Sequence, residues 1–175
     1  LIEATSNAME KYLDFNRGMI LMTNGHNNRL FYAGGFGYSD EDILQFRHYE
    51  LETYENPTAN PISSAFIEQK PISRTNPAGA TTEPSEDPNL FLKAAGSQYI
   101  ISVPIVYERE SLGVLVLERE SPKEASLGSD ERLLTGVASQ LAVSIANLTS
   151  YNKRMESEAL FRKSFDYAAS GMVLL

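Results

Sequence analysis

The stretch Tyr99–Leu117, YIISVPIVYERESLGVLVL, contains two apolar runs separated by a short polar segment. Both runs have the length of a strand and are rich in Ile, Val and Leu, and the segment Glu108-Arg109-Glu110-Ser111 between them is typical of a chain reversal. We therefore predict a β-hairpin with strands over 99–107 and 112–118. Pro104 cannot donate a hydrogen bond to a neighbouring strand, so we expect a bulge or a sheet edge at that position.

A second hairpin is predicted nearer the N-terminus. Phe15–Thr23 has the pattern of a buried strand, and Arg29–Ala33 has that of its return strand. The connection Asn24–Asn28 is rich in Asn and Gly, which tolerate the positive φ angles of tight turns. Strands that arrive as hairpins favour an antiparallel sheet.

Helix signals surround the two hairpins. Leu1–Leu13 has an amphipathic pattern, and Ser39 precedes three acidic residues as an N-cap should. Asn60-Pro61 and Asp87-Pro88 each place a capping residue before a proline of the first turn, the second of them opening a helix over 89–95. Helices that cover an antiparallel sheet predict an α+β domain of about 150 residues.

The last predicted helix is long and carries a seven-residue repeat. Ser129 is expected to cap it, with two acidic residues in its first turn. Apolar residues spaced by seven are typical of a coiled-coil seam. We therefore predict a homodimer through a seam formed by Leu134, Leu141, Leu148 and Met155.

The composition limits the classes of function. The chain has 175 residues, of which 42% are hydrophobic and 22% charged, so a folded core is expected rather than disorder. A net charge of −8 without a basic patch argues against nucleic acid as a partner. The absence of cysteine excludes disulfides, thiolate metal sites and thioether-linked chromophores. No apolar run approaches the length needed to span a bilayer, so no membrane segment is expected.

Motifs for catalysis or metal binding are not found. Gly34-Gly35-Phe36-Gly37 matches neither nucleotide-binding loop pattern, and we interpret its glycines as a strand-to-helix connection. His26 and His48 are too isolated to form a metal site. The acids at 40–42 and 130–131 are explained as helix-start residues. No Gly-x-Ser-x-Gly elbow occurs, so a hydrolase or transferase has no motif to support it.

A ligand pocket is the remaining hypothesis. Thr75–Glu86 is rich in Pro, Gly, Thr and Ser and is predicted to be a long mobile loop of the kind that often covers a site. Apolar and polar residues on the flanking elements are candidates for lining such a pocket. Core packing is the alternative explanation for the apolar ones. The candidate ligand-binding residues are Tyr54, Phe66, Arg74, Asn76, Phe91, Tyr99 and Ile101.

Several stretches resemble the GAF domain family. They are DFNRGMIL at 14–21, AFIEQKPIS at 65–73, the hairpin at 99–117, and LGSDERLLTGVASQLAVSIAN at 127–147. The resemblance covers residues 1–150 and implies a six-stranded antiparallel sheet flanked by helices, with a long C-terminal signalling helix. It also implies a sensory and dimerisation role for the chain, with a small molecule bound on one face of the sheet.

The residues that define the characterised GAF subfamilies are missing. The Asn-Lys…Phe-Asp-Glu set of the cyclic-nucleotide binders cannot be placed, and the bilin-attaching and methionine-sulfoxide reductase members need a cysteine that this chain lacks. The cofactor is therefore unknown, and no covalently attached chromophore is expected.

The C-terminal residues resemble the start of a PAS domain. The segment ESEALFRKSFD at 156–166, followed by ASGMVLL at 169–175, is similar to the helix, glycine and first apolar strand that open such domains. We therefore expect a GAF-like domain over 1–150, a signalling helix over 151–164 and the first part of a PAS-like domain over 165–175, with both chain ends made by truncation.

The functional hypothesis that follows is a non-catalytic, cytoplasmic sensor module. A bound small molecule, or a change at the dimer seam, would act through the C-terminal helix on an output domain. By resemblance, that domain belongs to a bacterial histidine kinase or cyclic-di-GMP enzyme. The alternative is a purely structural dimerisation domain without a ligand.

Overall fold

The structure is a computed structural model that describes residues 1–24, 28–53, 60–75, 91, 97–121 and 127–173. The predicted helix over 89–95 and the predicted loop over 76–86 lie outside these residues, apart from Phe91. Contacts divide the chain into two compact units, Leu1–Ala142 and the residues from Val143 onward.

One antiparallel sheet of six strands forms the centre of the first unit, in the order β3-β2-β1-β6-β5-β4. The two predicted hairpins are both present, and β1 joins them by pairing with β6. The α+β class and the six-stranded sheet are therefore confirmed. The two short outer strands, β3 and β4, were implied by the family resemblance but not by the residue pattern. The strands are β1 (Arg17–Thr23), β2 (Arg29–Phe36), β3 (Glu50–Glu52), β4 (Ile72–Thr75), β5 (Tyr99–Tyr107) and β6 (Glu110–Arg119).

The β5–β6 turn is shorter than predicted. Tyr107 pairs with Glu110, so only Glu108 and Arg109 form the loop. Their φ angles are 47° and 73°, and two central residues with positive φ give a turn whose twist matches that of the strands. Gln69, at the end of the third helix, donates a hydrogen bond from Nε2 to the Arg109 carbonyl at 2.8 Å, which ties the turn to that helix.

Pro104 lies where the sheet tolerates a missing donor. The strand β4 pairs with β5 only as far as Ser102, so Pro104 lies beyond that ladder. The β5–β6 register also shifts between Ile105 and Val106. The end of the β4 ladder before Pro104 and the register shift just after it agree with the bulge or sheet edge expected from sequence.

The described ranges contain four helices, and two of them begin where their caps predict. Ser39 and Asp42 form a reciprocal capping box at α2. Asn60 accepts backbone hydrogen bonds ahead of Pro61 at α3. The last helix begins at Leu127 rather than after Ser129. The helices are α1 (Ile2–Tyr12), α2 (Asp40–Phe46), α3 (Pro61–Glu68) and α4 (Leu127–Val173).

The two faces of the sheet have different cores, because successive strand residues point to opposite sides. Met19, Leu21, Val114 and Val116 pack with α2, α3 and Phe91 in one cluster. The strand residues that alternate with these point to the opposite side of the sheet and are buried outside that cluster. They include Ile20, Ile101, Leu115 and Leu117. We call the first the ring face, since most of the buried aromatic rings lie on it.

The predicted dimer seam along α4 is wrong for two of its four residues. Leu134 and Leu141 are 0% and 3% exposed within a single chain, so their spacing is explained by the core of the first unit. Leu148 and Met155, in the second unit, are each 50% exposed. Of the four predicted seam residues, Leu148 and Met155 alone remain candidates. The helix also continues through Gly171 to Val173, where the PAS resemblance implied the beginning of a strand.

By length and composition alone, α4 is also the one described helix that could cross a membrane. The core helix of a soluble domain passes the same test. Leu134, Ala138 and Leu141 are buried in the core of the first unit, but only 22% of the apolar window of α4 is buried.

Candidate functional site

Glu118 is a carboxylic acid buried near the end of β6, with 1% of the residue exposed. Its Oε1 accepts a hydrogen bond from the Tyr38 hydroxyl at 2.9 Å, and its Oε2 accepts one from the Ser97 hydroxyl at 2.5 Å. Burial raises the pKa of the Glu118 carboxyl above its ordinary value, while Ser97, Tyr38 and the charge of Arg17 oppose part of that rise. The ring face therefore contains a buried proton-binding group.

Tyr38 connects this carboxyl to the aromatic core. Burial is the main cause that raises the pKa of the Tyr38 hydroxyl well above its ordinary value, and the charge of Glu118 adds to it. The Arg17 guanidinium lies 5.9 Å from the centre of the Tyr38 ring and opposes the rise. The hydroxyl is therefore a stable donor to Glu118 across the neutral pH range.

Five aromatic rings, Tyr38 among them, pack together on this face, and Phe46 contacts three of the others. Its ring centroid lies 5.7 Å from that of Tyr32, 5.1 Å from that of Tyr38 and 5.5 Å from that of Phe91. Tyr49 and Phe91 are 4.9 Å apart. Such edge-to-face contacts stabilise beyond the area that they bury. In the described part of the chain, the protein's own rings thus occupy this face, and we call them the ring cluster.

Arg119, the next residue in β6, points to the other face and fixes the start of α4. Its Nη1 lies 2.9 Å from Asp130 Oδ2, and its Nε donates to the Asp14 carbonyl at 2.7 Å. The guanidinium also lies 4.2 Å from the centre of the Phe15 ring and 5.8 Å from that of Tyr99. This buried ion pair joins the end of β6 to the first turn of the long helix.

The structure separates the predicted ligand-binding residues. Phe91 and Phe66 lie on the ring face, and Arg74 is an exposed residue of β4. Tyr99 and Ile101 lie on the opposite face, where Tyr99 contacts Phe15 and Arg119, so these two do not share a pocket with Phe91. Tyr54 and Asn76 lie outside the described residues.

Four residues of the site were not predicted from sequence: Glu118, Tyr38, Arg119 and Asp130. The available signal was the ending of β6, where the buried strand VLVL at 114–117 runs into a Glu-Arg pair. Alternation requires those two charges to be on opposite faces, one of them in each core. Asp130 was explained by its place in the first turn of a helix, yet it also forms the ion pair with Arg119.

The described residues offer little for metal chemistry. No group of three His, Asp or Glu side chains within the described ranges could hold an ion. His48 is exposed beside α2, and His26 lies outside these ranges. Gly34 and Gly35 belong to β2, and Gly37 follows with a φ of 79°. Gly34 and Gly35 therefore lie within a strand and pair with β1, so only Gly37 serves the strand-to-helix connection that was expected from sequence.

A family model described as "GAF domain" matches residues 1–145. The chain belongs to the GAF domain family. GAF is a regulatory domain, so we assign a regulatory rather than a catalytic role to the matched segment. No match is found among curated protein sequences.

Solved structures of other proteins share the fold. The GAF domain of a Coxiella burnetii phosphoenolpyruvate-protein phosphotransferase has a TM-score of 0.67 at 16% identity, over 86% of this chain and 83% of that chain. A domain assigned to a two-component sensor histidine kinase of Sinorhizobium meliloti 1021 gives 0.58 at 18% identity, over 87% and 93%. Residues 122 to 287 of a methyl-accepting chemotaxis protein give 0.63 at 17% identity, over 85% and 87%. At identities of 16–18%, these likenesses show the shared fold.

Proposed function

We propose that this GAF domain is a small-molecule-sensing and dimerisation module of a signal-transduction protein. In this proposal α4 relays the state of the ring face to an output domain outside this chain. The output is a histidine kinase or a cyclic-di-GMP enzyme, a choice that rests on family association. The structural neighbours from a sensor kinase and a chemotaxis protein support the signalling role.

One observation carries the relay proposal, namely the adjacency of Glu118 and Arg119. Glu118 accepts hydrogen bonds on the ring face, and Arg119 holds Asp130 of α4 on the other face. A change on the ring face that shifts β6 at Glu118 therefore also moves Arg119 and its contact with Asp130 on the opposite face. Two sites are coupled in this way when both bias the same structural element.

A ligand on the ring face has to displace protein side chains, because the rings already touch. Phe91 is the ring that we assign to be displaced, since it contacts both Phe46 and Tyr49. Movement of Phe46 would disturb the Tyr38 ring, and with it the hydrogen bond from Tyr38 to Glu118. A ligand shifts this equilibrium only by its difference in affinity for the two arrangements.

The sensing proposal is tested with native mass spectrometry of gently purified protein, followed by a thermal-shift screen of metabolites on the full chain. We expect a metabolite that raises the melting temperature of the wild type and of Glu120→Gln, but not of Glu118→Gln. Glu120 is the matched control, because it is an exposed acid two residues further along. Hydrogen exchange in the first turns of α4 should slow when that metabolite binds.

The close packing of the ring cluster favours a second candidate, a structural dimerisation domain without a ligand. If no metabolite co-purifies and none raises the melting temperature, this alternative replaces sensing. If a metabolite binds equally well to Glu118→Gln, its site lies outside the ring face, and the relay through Glu118 is overturned.

Dimerisation is assigned to the exposed part of α4. Leu148, Tyr151 and Met155 are 50%, 61% and 50% exposed in one chain and follow the spacing of a helical seam. Each seam residue that is covered by a partner helix removes apolar surface from water.

The dimerisation test replaces two seam residues by charge. Leu148→Glu/Met155→Glu should give monomers by light scattering, because four carboxylates would meet in the dimer. Ser150→Glu/Ser157→Glu is the matched control, with the same spacing and charge on exposed positions off the seam. Persistent dimers of the first variant would move the interface elsewhere. Leu141 is unsuitable for this test, because it is buried in the first unit.

A further inference from the structure

A cleft of about 320 Å³ lies between α1, β2 and the end of α2. Glu3, Ser6 and Asn7 of α1 form one wall, and Arg47 at the end of α2 contributes to the other. The floor is formed by β2 residues 32–35. The volume is at the lower end of the range of about 300–1,000 Å³ that is usual for small-molecule sites.

The floor is an open stretch of sheet edge. The strand β3 pairs with β2 only from Arg29 to Phe31, so residues 32–35 have no strand partner on that side among the described residues. The β1–β2 register shifts opposite Ala33, and such bulges are frequent beside binding sites. A Cβ on Gly34 would lie 2.6 Å from Ile2 Cγ2 and 3.5 Å from Ser6 Oγ. Glycine thus lets α1 approach the backbone closely.

A buried hydroxyl without a partner lines this cleft. Ser6 is 3% exposed, and its Oγ has no hydrogen-bond partner in the described part of the chain. The helical hydroxyls of Thr5 and Ser139 each donate to a backbone carbonyl one turn earlier, whereas that of Ser6 does not. Buried polar atoms that lack a protein partner commonly bind water or a ligand. Ser6 therefore marks the cleft as a site for a polar molecule.

Opposite charges border the same cleft. Glu3 and Arg47 are both exposed, and neither forms an ion pair within the described residues. The Arg47 charge reaches the Tyr32 hydroxyl, where it lowers the pKa that burial raises. That hydroxyl would lie 3.2 Å from a Cβ on Gly35, so it reaches over the glycine floor. A negative group, a positive group and two hydroxyls thus surround an open backbone edge.

We propose that this cleft binds a free α-amino acid. The forked guanidinium of Arg47 suits the carboxylate of the ligand, and the Glu3 carboxylate suits its ammonium group. Ser6 and the Tyr32 hydroxyl supply the remaining polar contacts. This site shares Tyr32 with the ring cluster but is distinct from the Glu118 site of the proposed function, because its charges come from α1 and α2 rather than from β6.

Isothermal titration of the full chain with the proteinogenic amino acids tests this site. At least one should bind, and its amide and its N-acetyl derivative, which each lack one charge, should bind at least about tenfold more weakly. Glu3→Gln and Arg47→Gln should each weaken binding of the zwitterion by a similar factor. Glu10→Gln on α1 and Arg132→Gln on α4 are the matched controls. Both are exposed residues outside the cleft, so binding should be unchanged.

Ser6→Ala provides an independent variant, since it removes the orphan hydroxyl without adding bulk. It should weaken amino-acid binding while the melting temperature of the free protein is maintained or raised. The proposal is overturned if no amino acid binds, or if Glu3→Gln and Arg47→Gln both bind as the wild type does. Binding that is lost in Glu118→Gln alone would overturn it as well and would assign the ligand to the ring face.

Discussion

Replacing Asp130 by alanine tests whether the buried ion pair anchors α4 to the sheet. The side chains of Arg119 and Asp130 are 6% and 12% exposed, so the substitution leaves a buried guanidinium without its carboxylate. Removal of one partner from such a pair costs about 3–5 kcal/mol. Arg119 keeps its hydrogen bond to the Asp14 carbonyl and its contact with the Phe15 ring. We therefore expect a loss at the lower end, about 3 kcal/mol.

This loss corresponds to a measurable change in melting temperature. Unfolding entropy is about 2.1 cal/mol/K per residue, which for a unit ending at Ala142 gives about 0.3 kcal/mol/K. The expected decrease in melting temperature is thus about 10 °C. Scanning calorimetry measures it directly, and urea unfolding followed by circular dichroism gives the free energy. The chain contains no tryptophan, so the fluorescence of its tyrosines is the available second probe.

Two further variants separate the ion pair from its surroundings. Glu131→Gln changes the next acid along α4, which is exposed, and should alter stability by no more than about 0.5 kcal/mol. Arg119→Met/Asp130→Leu replaces both charges by apolar side chains and should recover most of the loss. If Asp130→Ala costs less than about 1 kcal/mol, or the double variant is less stable than the single one, the ion pair does not anchor the helix.

Three other predictions follow from the ring face and from one glycine. Because burial raises the pKa of the Glu118 carboxyl above 4.5 in the folded state, the folded protein binds that proton more tightly than the unfolded chain. The free energy of unfolding should therefore fall as pH rises from about 4.5 through the folded pKa, and Glu118→Gln should lack this part of the fall in urea titrations at several pH values. Phe91→Ala should cost about 3–5 kcal/mol by calorimetry, because Phe91 is 0% exposed; the control Phe161→Ala, at 71% exposure, should cost less than about 0.5 kcal/mol. Gly37→Ala should lower the melting temperature, because its φ of 79° is strained for alanine; a wild-type value would contradict the assigned turn geometry.

The parts of the fold that depend on neighbouring residues could be predicted from the sequence. The β5–β6 hairpin and the caps at Ser39 and Asn60 are determined within a few residues along the chain, and all three are present. The short strands β3 and β4 could not be recognised, because three or four residues carry too little periodicity to be distinguished from a loop. Their strand conformation depends on the edges that β2 and β5 offer.

The candidate site was less predictable, because it depends on which helix covers which face. Alternation places Ile100 and Ile101 on opposite faces, but it does not indicate which of them meets the ring cluster. The sequence grouped Tyr99 with Phe91 in one pocket, and only the register of β5 and β6 shows that they lie on opposite faces. Leu134 and Leu141 show the same limit, since a spacing of seven fits a coiled coil and a core helix equally well.

The length of α4 has a thermodynamic consequence. The helix has 47 residues, or about 70 Å at 1.5 Å per residue, and every described side chain from Asn147 to Gly171 is exposed. A helical segment that buries nothing is only marginally stable in water, since most helical stability in proteins comes from packing. Whatever covers this segment therefore supplies its folding free energy. If the proposed dimer covers this segment, association and helix formation are a single equilibrium, and we expect its helical content to depend on protein concentration.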